Sequence, residues 1–523
     1  MAKTEISVAA IAQHSVSRVI LAKLCDTGAA RRATPLGQSQ PPKALTPVVS
    51  PNILAYFMIT VWPVVAYVLY LRLDPARALI WTILAGYLIL PPLTVYNLPV
   101  VPDFDKTSIP NLSALALAVF MLGDRVSLVP QGLVGRGLMV LFVLSPFATV
   151  LTNGDPIEIF DGDVQGMRIY DSVAAVSNQL IRILPFFLAR RYLADAGAMR
   201  ALCVALVAAG FAYSVPMLIE TQLSPQMNVW IYGFFQHDFL QTIRAGGFRP
   251  VVFLQHGLWV AFFTLMCLMA SVLLLREGPA ARRPYWLLAV GYMALLLLAC
   301  KSFGPILYAL ALLPVLLFAP RRAQVLLALL LALIVVIYPL LRGAHLVPLD
   351  AILAYAESIS PARAESLAYR IGNEEQLLDH AAKRPWFGWG GYGRNLILDP
   401  VTGRILTIPD GEWIITLGIY GWFGYIAEFG LVALPLVWLG REALPNRGAQ
   451  ISLHAAGIAL ILAANLLDLL PNGTLVSLTW LMAGALLGHA EMLRNARIAK
   501  AGPGAQPRAQ QTPASPAPRR TVI

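Results

Sequence analysis

Residues 366–395 read SLAYRIGNEEQLLDHAAKRPWFGWGGYGRN, and they lie inside a polar interval that runs from Arg342 to Gly411. Apolar runs of membrane-spanning length flank that interval on both sides. A polar insertion of this length in a hydrophobic chain signals a functional loop. Ser360-Pro361 is a helix start, because proline tolerates the first helical position and serine can cap it. From there to Lys383, Leu367, Ile371, Leu377, Leu378 and Ala381 recur at helical spacing and predict an amphipathic helix. Arg370 and Glu374 stand four residues apart and therefore share a face of it. Pro385 stops the helix, and Gly388, Gly390, Gly391 and Gly393 follow, with Trp386, Trp389 and Tyr392 among them. Glycines let backbone approach a ligand, and Trp and Tyr faces suit sugar rings. A helix lying flat on a membrane, followed by a flexible turn, would show the same pattern.

Working outward, the 523 residues are 58% hydrophobic and 13% charged, about half the charged fraction of a soluble protein. The expected fold class is therefore all-α, a polytopic transmembrane helical bundle with one long external loop. Spans are expected at 52–72, 77–96, 109–122, 135–153, 171–189, 197–219, 251–275, 285–300, 304–319, 323–341, 417–440, 451–469 and 474–490. The domain plan is a polar, disordered tail at 1–49, a first membrane part at 50–341 and the loop at 342–411. A last membrane part at 412–490 and a disordered Pro/Ala/Arg-rich tail at 491–523 complete it. Segment 109–122 is short for a span. Counting it gives thirteen spans and an external N-terminus; omitting it gives twelve, which the basic N-terminal tail favours.

Arg190-Arg191, Arg276, Arg282-Arg283, Arg321-Arg322, Arg441 and Arg447 fall on one side when the spans alternate, and that side is expected to be cytoplasmic. The long loop and the intervals 220–250 and 154–170 then face the other way. The net charge of +11 reflects this bias rather than nucleic acid, since no basic and aromatic single-strand-binding pattern accompanies it. Of the four cysteines, Cys203, Cys267 and Cys300 lie in apolar runs, so neither a disulfide framework nor a zinc site is suggested. No Walker loop, GxSxG elbow or HExxH motif occurs. No cofactor is expected.

Arg244 and Arg249 stand at the mouth of the span expected near Val251, and His256 lies less than two turns inside it. Two arginines on the external side break the charge bias; they suit a diphosphate, which guanidinium grips bidentately, or else they anchor the interface by snorkelling. His256 is read as satisfying a neighbouring helix or as binding substrate. Lys301 marks a tight turn, Arg182 is an intramembrane charge, and Glu428, Asn465 and Asp468 are interhelical hydrogen-bonding groups. Asp410 and Glu412 end the loop, where a carboxylate could take the proton of a sugar hydroxyl. Equally, Asp410-Gly411 could be a turn and Glu412 a helix-start residue.

Taken together, RAGG from Arg244, KSFG from Lys301, Arg370 before RPWFGWG, DG at Asp410 and GWFG at Gly421–Gly424 resemble the bacterial O-antigen polymerase/ligase superfamily of envelope glycosyltransferases. The resemblance covers roughly Asp171 to the end of the last span. It implies a metal-independent transfer of glycan from undecaprenyl diphosphate to a hydroxyl on the periplasmic face of a bacterial inner membrane. In that family arginines hold the diphosphate, and Arg244 or Arg249, with Arg370, match those positions. Ligases usually carry His-Asn where this chain has Asp410-Gly411, so a polymerase is the expected function, with ligase second. The expected partners are the lipid-linked glycan, the bilayer, a flippase and a chain-length regulator, and no nucleic acid. A transporter of lipid-linked glycan is the competing class, but related halves with midplane charges are not visible.

Overall fold

A computed structural model of the chain describes residues 50–97, 102–160, 163–244, 246–359, 361–447 and 450–501. The two expected tails at 1–49 and beyond 501 lie outside the described residues. Sixteen α-helices and one two-stranded hairpin are present among the described residues, as the all-α expectation requires. They are α1 Ile53–Arg72, α2 Pro75–Ile89, α3 Ser108–Met121, α4 Leu133–Leu151, α5 Ile169–Tyr192 and α6 Ala196–Leu223. After the short α7 (Met227–Tyr232) come β1 Ile243–Arg244, β2 Gly247–Phe248, α8 Gly257–Glu277, α9 Arg283–Ala299, α10 Phe303–Phe318 and α11 Arg321–Gly343. The loop holds α12 Leu349–Ile359 and α13 Pro361–Ala382, and α14 Glu412–Ala443, α15 Leu453–Asp468 and α16 Ser477–Ala501 close the chain. The predicted loop helix is α13, whose half-buried face carries Arg370 and Glu374 beside buried Leu377 and Ala381.

Seven helices (α1, α4, α5, α6, α8, α11 and α14) are long and apolar enough to cross a membrane. Four further apolar helices, α2, α3, α10 and α15, are shorter. Contacts at the helix ends sort the connections into two sets. At one end, Arg191 bonds Asp124, Arg190 bonds Glu491, Arg200 bonds Glu277, Arg321 reaches the carbonyl of Ile451, and Arg447 and Arg497 grip Glu442. At the other, Lys106 reaches the carbonyls of Leu90 and Phe253, Asn52 that of Ile231, and Arg384 pairs with Asp155. α3 begins at the second end, beside Lys106, and finishes at the first, beside Asp124. Among the described residues the chain therefore runs between the two ends thirteen times, one more than the twelve spans that the basic tail favours. The second correction is at the C-terminal side, where α16 continues through Ala501 instead of yielding to a tail at 491, and Arg497 on it is held by Glu442.

α8 is the central helix, packed on α6, α9, α10 and α15. Its N-terminus is Gly257, not Val251, because residues 251–256 are fixed in a non-helical path. Buried Glu220 accepts the N–H groups of Val251 and Val252, both at 2.8 Å, and Gln236 donates to the carbonyls of Val252 and Leu254. α16 packs most closely on α5. Gly484 and Gly488 lie against the carbonyls of Phe186 and Arg190, where any Cβ would collide, the small-residue spacing that lets membrane helices approach.

Candidate active site

The Gly-rich run does a structural job that its sequence does not announce. α14 breaks at Gly421, whose φ of 63° and ψ of −164° are non-helical. The buried backbone groups freed there need partners. They find them in the loop: Trp389 and Gly390 donate to the carbonyls of Gly418 and Ile419, and Trp422 and Phe423 donate to those of Pro385 and Trp386. A Cβ at Gly388 would strike the Ile419 carbonyl, and one at Gly421 the Trp386 carbonyl, so both strands of contact demand glycine. The loop is also sewn to the α4–α5 connection. Asn153 donates to the carbonyl of Gly388, Arg384 bonds Asn153 and Asp155, and buried Arg394 reaches the carbonyls of Asp155, Gln165 and Trp389.

Trp389 belongs to this clasp. Its ring stacks on His380 at 4.3 Å, Arg384 lies over it at 4.5 Å, and its indole N–H donates to the His380 carbonyl. Tyr392 donates to Asp171 on α5 at 2.9 Å. Trp386 alone of the three aromatic candidates is largely exposed, leaning on Phe423.

The arginines converge elsewhere in the same face. The β1–β2 hairpin turns the chain back so that Arg249 N–H bonds the Thr242 carbonyl at 2.8 Å, and the Arg249 side chain runs inward against Gly257. It is buried, and its Nε and Nη2 both donate to the Ser302 hydroxyl, at 3.1 and 2.7 Å. Burial, followed by the charges of Arg244 and Arg370, brings this guanidinium down to about 10. Lys301, in a left-handed conformation at the α9–α10 turn, places Nζ against Gly247 of the hairpin. His256 is the N-cap of α8: its Nδ1 accepts the N–H of Leu258 at 2.9 Å, so the ring proton sits on Nε2. Burial first, then His237 and the three arginines, hold its pKa well below the usual histidine range. His237 meets it edge to face at 4.3 Å.

Two carboxylates stand by Arg370. Arg370 Nε stands 3.6 Å from Asp410 Oδ2. Burial raises Asp410 and Arg370 opposes the rise. Glu374, one turn along α13, is lifted to about 7, first by burial, with Asp410 adding to it and Arg342, Trp413 and Arg370 opposing it. Arg342, in the last turn of α11, is buried, and its Nε and Nη2 have no hydrogen-bond partner among the described residues.

Of the candidate residues, Arg244, Arg249, His256, Arg370 and Asp410 come together, while Trp386, Trp389 and Tyr392 lie with the clasp. Glu412 does not join them. As the first residue of α14 its N–H bonds the Leu469 carbonyl, and its buried side chain lies by Gly473, with Glu428 and Arg182 as its charged neighbours. The residues missed are His237, Arg342 and Glu374. Only Glu374 had a signal, its spacing from Arg370. Among the described residues, no group of three His, Cys, Asp or Glu side chains converges as a metal site would. No known protein-family model and no curated protein matches the sequence.

Proposed function

We propose that this protein joins undecaprenyl-diphosphate-linked oligosaccharide repeat units into a polysaccharide at the periplasmic face of a bacterial inner membrane. The observation that carries the reading is Arg249. A buried guanidinium whose side-chain bonds, among the described residues, go to one hydroxyl, with Arg244 and Arg370 acting on it and Lys301 against the same hairpin, is an excess of positive charge suited to a dianionic or trianionic ligand. A diphosphate leaving group fits that charge, and the same donors stabilise it as negative charge develops on it. Asp410 and Glu374 stand beside Arg370, and one of them takes the proton of the attacking hydroxyl. The basic connections lie at the opposite end of the bundle, which supports an active site facing away from the cytoplasm.

The deciding experiment replaces Arg249 or Arg370 by Ala. Polymer is lost at normal protein level, single repeat units build up on the lipid carrier, and Lys restores only part of the activity because it lacks the planar fork. Long finished chains stranded on the lipid would identify a ligase instead. Full polymer with both alanines removes diphosphate binding from the account.

A further inference from the structure

Asp410 and Glu374 both stand by Arg370, but they are not equivalent. The Asp410 carboxylate has a guanidinium beside it, Arg370 at 3.6 Å, which lowers its readiness to accept a proton. Glu374 makes none of the ion pairs found among the described residues. It is half-buried, with Arg342 and Tyr338 of α11, Trp413 of α14 and Asp410 facing it from the packed elements, and Arg370 from its own helix. Lying one helical turn from Arg370, it sits on the face that carries the diphosphate-gripping side chain. Buried Arg342, whose charge acts on Glu374, has two donors without a partner among the described residues. That guanidinium is placed to stabilise negative charge on Glu374 without closing on it.

We infer that Glu374, rather than Asp410, accepts the proton of the attacking hydroxyl, and that Asp410 is a positioning residue that holds Arg370; this rests on the glycosyl-transfer reading above. The acceptor O–H gives its proton to a Glu374 oxygen as the hydroxyl oxygen bonds the anomeric carbon of the donor sugar. The bond from that carbon to the diphosphate oxygen breaks, and its electron pair leaves on the diphosphate, held by Arg244, Arg249 and Arg370. A glycosidic bond has formed, polyprenyl diphosphate is released, and Glu374 later returns its proton to water. A carboxyl group raised to about 7 is matched to this work near neutral pH, strong enough as a base and still ionised in good part.

The test measures transfer in reconstituted vesicles, using the lipid-linked glycan extracted from cells that lack the gene, across roughly pH 5 to 9. Wild-type transfer should rise through an acid limb near pH 7. Glu374→Gln should lower transfer by about two to four orders of magnitude and abolish that limb. Glu374→Asp should recover part of the rate with the limb displaced. Asp410→Asn should keep the limb and raise KM more than it lowers kcat. Wild-type rate and limb in Glu374→Gln would overturn the inference, as would a limb lost in Asp410→Asn and kept in Glu374→Gln. Should Glu374→Gln fail to elute as a folded protein, Glu374→Asp decides, and an unmoved rate and limb there overturns it. Wild-type protein silent with this glycan overturns the glycosyl-transfer reading itself, a result distinct from loss in one variant.

Discussion

Glu374 carries a stability signature separate from its proposed chemistry. A carboxyl group whose pKa is raised in the native state binds more protons there than in the unfolded chain. Native stability therefore falls as pH rises between the ordinary glutamate value and about 7 and is level above that. Glu374→Gln has no charge to bury, so it should melt at the wild-type temperature near pH 5 and above it at pH 8, with the gap opening across that window. A variant that is inactive yet more stable at pH 8 marks a residue kept for function. An equal or lower melting temperature at pH 8 would count against the burial that raises Glu374. At this scale the sequence made the Arg370–Glu374 pair legible through helical spacing. It could not show Asp410 meeting Arg370 forty residues away, nor the divergence of Asp410 and Glu412. Those two part because Gly411 caps α14, leaving Asp410 in the loop while Glu412 turns into the bundle.

α14 is a helix in two pieces, and the loop that mends it is the element that presents Arg370 to the site. Gly421 sits in a backbone region open essentially to glycine alone, and a Cβ there would meet the Trp386 carbonyl. Gly421→Ala should cost more than about 3 kcal/mol, through strain and the loss of loop hydrogen bonds, and should appear as a lowered melting temperature in detergent. Gly291→Ala in α9, where a Cβ meets open space, should leave it unchanged. Equal melting for the two variants would mean that the break in α14 is not held by the loop. The helix positions themselves were legible, since hydropathy needs only local information. The break was not. GWFG reads as a motif at the start of a span, and its partner backbone at Pro385–Gly390 lies some thirty residues away in a stretch that reads as a flexible turn.

Across the whole molecule, the path of α3 decides where everything before it lies. Fourteen residues rise only about 21 Å, short of a full hydrocarbon core, which is why composition alone left the helix ambiguous. Its flanks lie at opposite ends of the bundle: Lys106 bonds the carbonyl of Phe253 beside the arginine hairpin, and Asp124 bonds Arg191 and Tyr192 at the basic end. Asn52, before α1, bonds the carbonyls of the α7 segment on the hairpin side. Residue 50 must then lie on the same side as the loop at 401 and opposite residue 322. In a chain with its four cysteines replaced, Ser50→Cys and Val401→Cys should react with an impermeant thiol reagent in intact spheroplasts. Arg322→Cys should react only after lysis. Labelling of Ser50→Cys that needs lysis would mean that α3 does not cross, and the thirteen passes would become twelve. Labelling of Val401→Cys that needs lysis would turn the bundle over, placing the arginine cluster in the cytoplasm and removing the periplasmic donor from the proposed reaction.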